Sequence, residues 1–460
     1  MREKGIPNVT LFPTISRRVG ERPKNRPTVA TETTISATGT VARALAFSLA
    51  VTLAASADEL QPVPAPQPER TRLRAHVATL ASPTFEGRRG GRPGGDRTAE
   101  FVASRLRSLG LKPLFGPQDA PADTDYFQTI PDPDDPKALP WGKNVGARLE
   151  GGDPALRDRC ILVSAHFDHL GVRRGELYPG ADDNASGVAM LLEVARCLVE
   201  SPEKPRRSVL FVSFDLEEVG LFGSRYMAEH MPVPMERLDL VITADMIGRS
   251  FAGIPDKNVF VMGLERAPRA VPWIEASARE LPIQVGPLGS DLLLLDRSDY
   301  GPFRLRRVPY LFFTTGETPV YHTPRDVPET LDYPKLEAIS RLILGVTRSA
   351  AAADPNDAPR WTSPPVNPLA EAVTIGRVID KLLAHQAALD LNAAQLLIMR
   401  NAARTAAAAV ERGRVEPNER GLLINAARII LASVRPARAV KVAPTHPYEA
   451  PKAALKVAPS

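Results

Sequence analysis

Four stretches decide the architecture, and they follow one another closely: 160-CILVSAHFDH-169, 181-ADDNASGVAMLLEVARCLV-199, 208-SVLFVSFDLEE-218 and 238-LDLVITAD-245. Cys160–Ala165, Ser208–Phe214 and Leu238–Ala244 are strand-length and apolar throughout, whereas Gly187–Leu198 reads as a helix. A second helix is expected around Gly223–His230 and a further strand over Pro309–Phe313. Strands that are apolar on both sides need cover on both faces, and helices lie between them in the chain. The expected fold is therefore α/β, a mostly parallel mixed sheet sandwiched by helices. In such sheets ligands collect outside the carboxyl ends of the strands, so the residues that follow each strand are the ones to inspect.

Outward from this centre the pattern changes on both sides. Upstream, Leu73, Val77 and Leu80 predict a helix from Thr71. A turn-rich stretch follows over Gly87–Gly95, then a helix with Val102, Leu106 and Leu109 on one face and Gly110 at its end. Residues 115–142, rich in Pro and Asp, read as surface loop. Downstream, Asp354–Asn367 is a proline-rich linker, and Asn367-Pro368 is a good helix start. Ala- and Leu-rich helices then run to about Val434 with a break near Gly413–Pro417, giving an additional C-terminal α-helical region. The expected organisation is a leader over 1–57, a linker over 58–70 and a main domain over 71–350. A linker over 351–367, a helical region over 368–435 and a disordered tail over 436–460 complete it. The helical region reads either as a bundle packed on the main domain or another subunit, or as a partner-binding module.

The net charge of +5 resides at the N-terminus, because residues 1–57 hold eight Lys or Arg against three Glu and the remainder is balanced. A basic nucleic-acid-binding face has no compositional support. Arg43, the apolar stretch Leu45–Ala55 and the small-x-small triplet Ala55-Ser56-Ala57 have the form of a signal peptide cleaved near Ala57, which predicts export to the periplasm or the extracellular space. The long segment before Arg43 exceeds a usual basic n-region and points to a translation start nearer Val41. No apolar run has the length of a stable membrane span. Cys160 and Cys197 read as small core residues rather than a disulfide framework.

The strand ends carry the chemistry. His166, Asp168 and His169 follow the first strand, and Asp182 and Asp183 precede the helix. Asp215, Glu217 and Glu218 follow the second strand, Asp245 the third, and 321-YHTPRD-326 comes later. So many acids and imidazoles at adjacent strand ends would repel one another without a cation between them. A hydrolytic two-metal site calls for this mixture: imidazole and carboxylate ligands, a carboxylate with two oxygens to bridge the ions, and an unligated base beside the water. Glu217 and Glu218 point to opposite sides of an extended segment, so one can ligate while the other faces the water. Spacing does not say which. Asp182 reads as a turn or capping residue. His169 and Asp326 are divided between supporting the site and plain surface positions. GRRGGRPGG, from Gly87, lacks the GK[ST] ending of a phosphate loop and follows no strand.

In this order HFDHLG, GADDNASG, DLEEVGLFGS, ADMIG and YHTPRD resemble the co-catalytic di-zinc aminopeptidase family, which groups bacterial leucine aminopeptidases with glutamate carboxypeptidase-like zinc peptidases. The resemblance spans roughly residues 71–346 and leaves out the C-terminal helices. It implies two Zn2+ per chain, with His166 and Asp245 on one, Glu218 and His322 on the other, and Asp183 bridging. It also implies Glu217 as general base, Tyr321 as donor to the oxyanion and Asp168 as the partner that orients His166. The Asp183–Asn184 peptide bond is often cis in that family. Ser298-Asp299-Tyr300 departs from the family's usual Ser-Asp-His near the substrate pocket, which leaves specificity open. Peptide substrates, with recognition of a free N-terminal amine, follow from the resemblance. A carboxypeptidase or other zinc amidohydrolase on the same site is the alternative, or a catalytically silent binding module. The related glutaminyl cyclases keep one zinc and lack the full ligand set, whereas all five ligands are present here.

Overall fold

The computed structural model describes residues 65–116, 125–133, 135, 137–292, 296–363, 368–389 and 391–434. The expected leader, its cleavage site, Asn367 and the C-terminal tail lie outside the described residues. The strands are β1 (Lys112–Pro113), β2 (Phe127–Ile130), β3 (Gly142–Leu149), β4 (Cys160–His166), β5 (Gly171–Arg173) and β6 (Glu176–Tyr178). They continue with β7 (Ser208–Phe214), β8 (Leu238–Ala244), β9 (Asn258–Met262), β10 (Gln284–Leu288) and β11 (Tyr310–Thr314). The helices are α1 (Arg70–Leu80), α2 (Pro93–Ser108), α3 (Gly187–Val199), α4 (Phe222–Glu229) and α5 (Val271–Ala278). They continue with α6 (Gly301–Leu305), α7 (Tyr333–Ala352), α8 (Pro368–Ala384), α9 (Ala393–Arg412) and α10 (Pro417–Val434).

Nine strands form one mixed sheet in the order β1-β3-β7-β4-β8-β11-β9-β10, with β2 also pairing to β3; β5 and β6 form a separate hairpin. The centre is parallel, β7 with β4, β4 with β8 and β8 with β11. Antiparallel pairing enters at β3 against β7 and at β9 against β11. Alternation along each strand separates two cores. Ile161, Val163, Val209, Phe211, Leu240 and Ile242 face a layer that includes α1, α3 and α7. Leu162, Leu210, Val212, Phe260, Met262 and Phe312 face the other side, where α8, α9 and α10 pack. Cys160 and Cys197 are free and belong to opposite layers, as expected of core residues that do not bridge.

The fold is the expected one, with local corrections. Residues 115–142 are not all loop, since Phe127–Ile130 pairs antiparallel with β3 as a short edge strand. Strand β3, GKNVGARL, gives no continuous apolar signal, yet it pairs with β7 over five residues. Helix α2 begins inside the glycine-rich stretch, with Pro93 in the first turn. There a Cβ on Gly94 would lie 2.3 Å from the Phe85 carbonyl oxygen, and one on Gly95 2.4 Å from that of Arg89, so only glycine lets the helix start this close to the preceding turn. Among the described residues the C-terminal α-helices are three, because a break at 385–392 adds to the one near Gly413, whose φ of 71° ends α9. They belong to the same compact unit as the sheet. Glu371 on α8 accepts the Gly289 N–H just after β10 at 2.9 Å, and Arg420 on α10 reaches Glu371 and Asp291. No helix among the described residues is long and apolar enough to cross a membrane.

Candidate active site

The parallel centre brings the carboxyl ends of β4, β7 and β8 side by side, and each ends in a polar cluster. His166 closes β4, and the chain turns back on Leu216 (φ 57°) after β7 to present Glu217 and Glu218. Asp245 follows β8 directly. Asp183 sits in a single wide turn, Ala181–Ser186, that leads into α3 and contains a cis Asp183–Asn184 bond. His322 comes from the loop after β11 and adopts φ 55°, a left-handed conformation that aims its ring inward.

These side chains converge in two groups. His169, Asp183, Glu218 and His322 offer ligand atoms within 4.8 Å of one another, and so do His166, Glu217 and Asp245. Asp183 connects the groups. Its Oδ1 lies 3.4 Å from His166 Nε2, and its Oδ2 lies 3.0 Å from His322 Nε2. His166 Nε2 is 3.3 Å from Asp245 Oδ1, and His322 Nε2 is 3.1 Å from Glu218 Oε2. Asp183 Oδ2 and His322 Nε2 are buried and, despite their proximity, form no hydrogen bond in this structure. Buried polar atoms left without a partner beside several other ligand atoms fit a cation, and imidazole with carboxylate is a donor set that suits zinc.

The two adjacent glutamates are driven apart in acidity. Burial, together with the charges of Asp245, Asp299 and Glu218, pushes Glu217 well above the ordinary carboxylate range against the opposing pull of His166. Burial acts the same way on Glu218, but His322 and His169 outweigh it and bring that carboxyl down to about 2. A pair separated like this has one member suited to ligation and one to carrying a proton. For Tyr321, burial and the nearby Asp183, Glu218 and Glu217 hold the phenol protonated well beyond its usual range, and its ring stacks on His322 at 3.8 Å.

A frame of buried groups fixes this arrangement. Asp168 lies 3.5 Å from His166 Nδ1 through its carboxylate, and the same carboxylate accepts the backbone N–H groups of Glu217 and Glu218 at 3.0 and 3.2 Å. It therefore orients the glutamate pair as well as the imidazole. Asp326 accepts the N–H groups of Asp182 and Asp183 and pairs with Arg249. Asp182 accepts the Gly248 N–H from the loop after β8, so its carboxylate braces a distant segment, which corrects the turn or capping reading. His169 and Asp326 are fully buried, so the surface reading of both is corrected. His169 Nδ1 stands 2.8 Å from Glu218 Oε1, inside the second donor group. Its position one residue beyond Asp168 in HFDH was the available signal. Tyr300 does not reach the cavity, because it stacks flat between Tyr310 and Phe312, with ring centroids 5.0 and 4.7 Å away.

Arg88 was not singled out in the glycine-rich stretch, yet it is fully buried and its guanidinium donates to the carbonyls of Phe167, Leu80, Gly180 and Asp183 at 2.8, 3.0, 2.7 and 3.2 Å. It pins the segment that carries Asp183 to the end of β4. Gly180 completes the fit, since a Cβ there would lie 2.3 Å from the Asp183 carbonyl oxygen. Arg88→Met leaves these carbonyls without donors and is expected to cost about 3 kcal/mol of stability. Zinc affinity should fall by roughly 10- to 100-fold, as for other supporting groups around metal ligands. Chelator competition and thermal melting measure both; unchanged zinc retention would remove Arg88 from the frame.

The geometry agrees with the comparisons. Residues 144–347 match the model of peptidase family M28. The aminopeptidase YwaD of Bacillus subtilis is 28% identical over 197 residues, covering 41% of this chain and 41% of that protein. A probable zinc metalloprotease of Pyricularia oryzae is 36% identical over 119 residues, covering 25% of this chain and 23% of that protein. The chain thus spans less than half the length of either relative. A glutaminyl-peptide cyclotransferase of Boiga irregularis is 26% identical over 293 residues, covering 55% of this chain and 74% of that protein. In fold, the crystal structure of Legionella pneumophila LapA aligns with a TM-score of 0.50 at 18% identity, over 62% of this chain and 74% of that one.

Proposed function

We propose, from the match of residues 144–347 to the model of peptidase family M28, that this chain is a zinc aminopeptidase that hydrolyses the N-terminal residue from peptides using two Zn2+. The observation that carries the reading is Asp183, whose two oxygens each face the imidazole of a different donor group, while Glu217 stands with His166 and Asp245 in one of them. His166 and Asp245 would hold one ion, Glu218 and His322 the other, with Asp183 shared and His169 within reach of the second. Zinc at such a site supplies a Lewis acid for the scissile carbonyl and acidifies a water.

The remaining work falls to the chain itself. Glu217 takes a proton from the attacking water and passes it to the leaving amine. Tyr321 keeps its phenolic proton and donates it as a hydrogen bond to the oxygen that becomes negative. Asp168 holds the backbone of both glutamates, so the base cannot swing away from the ligand beside it. A free N-terminal amine, positively charged in the substrate, suits the acidic end formed by Glu217 and Asp245.

The cyclotransferase likeness suggests another outcome, attack of a substrate's own N-terminal amine on its side-chain amide carbon with loss of ammonia, but both donor groups here have several members, which supports the hydrolytic reading. Metal analysis should find two zincs per chain, and aminoacyl anilides should be cleaved while N-acetylated counterparts are not. Turnover confined to peptides with a free carboxyl terminus would indicate a carboxypeptidase, blocked amides as the sole substrates another zinc amidohydrolase, and zinc content without turnover a silent binding module.

A further inference from the structure

The family match stops at residue 347, but the cavity that opens onto Asp183, Glu217 and Asp245 does not. It encloses about 990 Å³ of empty space, part of it open to solvent. From the acidic end it runs past Phe312 on β11 and Phe260 on β9 to Leu288 at the end of β10. Three strand intervals separate β8 from β10, so at the usual spacing of about 4.8 Å the cavity extends roughly 14 Å from Asp245 toward the sheet edge. There it meets Thr374, Ile375, Val378 and Ile379 of α8 and Ile430 and Leu431 of α10. The α8 residues recur at helical spacing on one face, and that face closes the cavity.

The polarity of the lining is graded. Carboxylates occupy the end at the donor groups, and Arg297 and Glu317 on the wall are paired with each other at 2.8 Å. The end against α8 and α10 presents aliphatic side chains and the Thr374 hydroxyl, which bonds back to the Ala370 carbonyl at 2.9 Å. A charged substrate side chain would be desolvated there without a partner, while a large apolar one would bury its area against Ile375, Val378 and Ile430.

We propose that α8 and α10, outside the family match, build the far wall of the specificity pocket, so that Val378 and Leu431 set how large an apolar side chain the residue preceding the scissile bond can carry. The proposal rests on the aminopeptidase reading. The C-terminal helices are then part of the enzyme's selectivity rather than a module for another protein.

The test compares alanyl, leucyl, phenylalanyl and lysyl anilides on the full chain loaded with zinc. The wild type should prefer leucyl or phenylalanyl over alanyl by at least about tenfold in kcat/KM, the scale at which a few methylenes discriminate. Val378→Phe and Leu431→Phe each extend a half-buried cavity side chain into the far end. Each should reduce that preference about tenfold or more, with unchanged zinc content and melting temperature. Val378→Ala should retain the preference and improve a naphthylalanyl anilide. A preference for small or charged residues, or a leucyl-to-alanyl ratio unmoved by both phenylalanine variants, overturns the pocket assignment while leaving the aminopeptidase intact. If the zinc-loaded wild type cleaves none of the anilides, the parent reading falls and the pocket with it; cleavage of N-acyl peptides alone has the same result.

Discussion

Glu217→Gln should lower kcat on a leucyl anilide by about three orders of magnitude, with two zincs per chain still bound. The amide keeps the size of the side chain and removes its basicity, and proton transfer by a positioned base contributes on the order of 10²–10⁴ in rate. Two features make the separation of metal from turnover a sharp expectation. Glu217 shares its donor group with His166 and Asp245, which carry ligation in the assignment here. Its backbone is held by Asp168 independently of its own side chain. Glu218→Gln should behave oppositely, losing metal first. If Glu217→Gln loses zinc in proportion to activity, the two glutamates have exchanged roles.

Asp183→Asn should remove both ions. Each Asp183 oxygen serves a different imidazole, so an amide leaves one group with a poor ligand and repels a cation through its NH₂. Zinc content should fall from two to well below one per chain and turnover below detection. The melting temperature should approach that of the wild type stripped by chelator, because a ligand that binds only the folded state stabilises it by mass action. The fold itself should persist, since the bonds that seat this residue come from its backbone: its N–H donates to Asp326 and its carbonyl accepts from Arg88. Two tightly held zincs in this variant would end the bridging assignment.

How much of this could be read from residues alone follows the kind of signal each feature leaves. CILVSAH, SVLFVSF and LDLVITA are buried on both faces, so their apolar runs are continuous and mark the sheet centre directly. GKNVGARL pairs next to them, but its two glycines, Lys143 and Asn144 break that signal; Asn144 is buried because it bonds Gly223 and Gln128, a reason that exists only in three dimensions. His166, Glu217, Glu218 and Asp245 were legible because each follows an apolar strand, and the parallel topology fixes which strand ends meet, whereas Asp183 and His322 were marked by the family resemblance. Arg88 was hidden, since nothing local distinguishes a guanidinium that ends among five carbonyls from one on the surface. The face of α8 was hidden for a related reason. An apolar stripe on a helix says that something covers it, while only the packed sheet edge says what.

The order of elements along the chain has a consequence for biosynthesis. His322 completes the donor groups, while Ile430 and Leu431 complete the cavity. During translation the donor groups are therefore all made before the helices that close the cavity. Until α8–α10 emerge, Phe260, Met262 and Phe312 lack their cover, and a nascent chain stalled at that stage would expose a sticky aromatic face. Chaperone engagement should accordingly peak after the sheet has formed and before α10 leaves the ribosome.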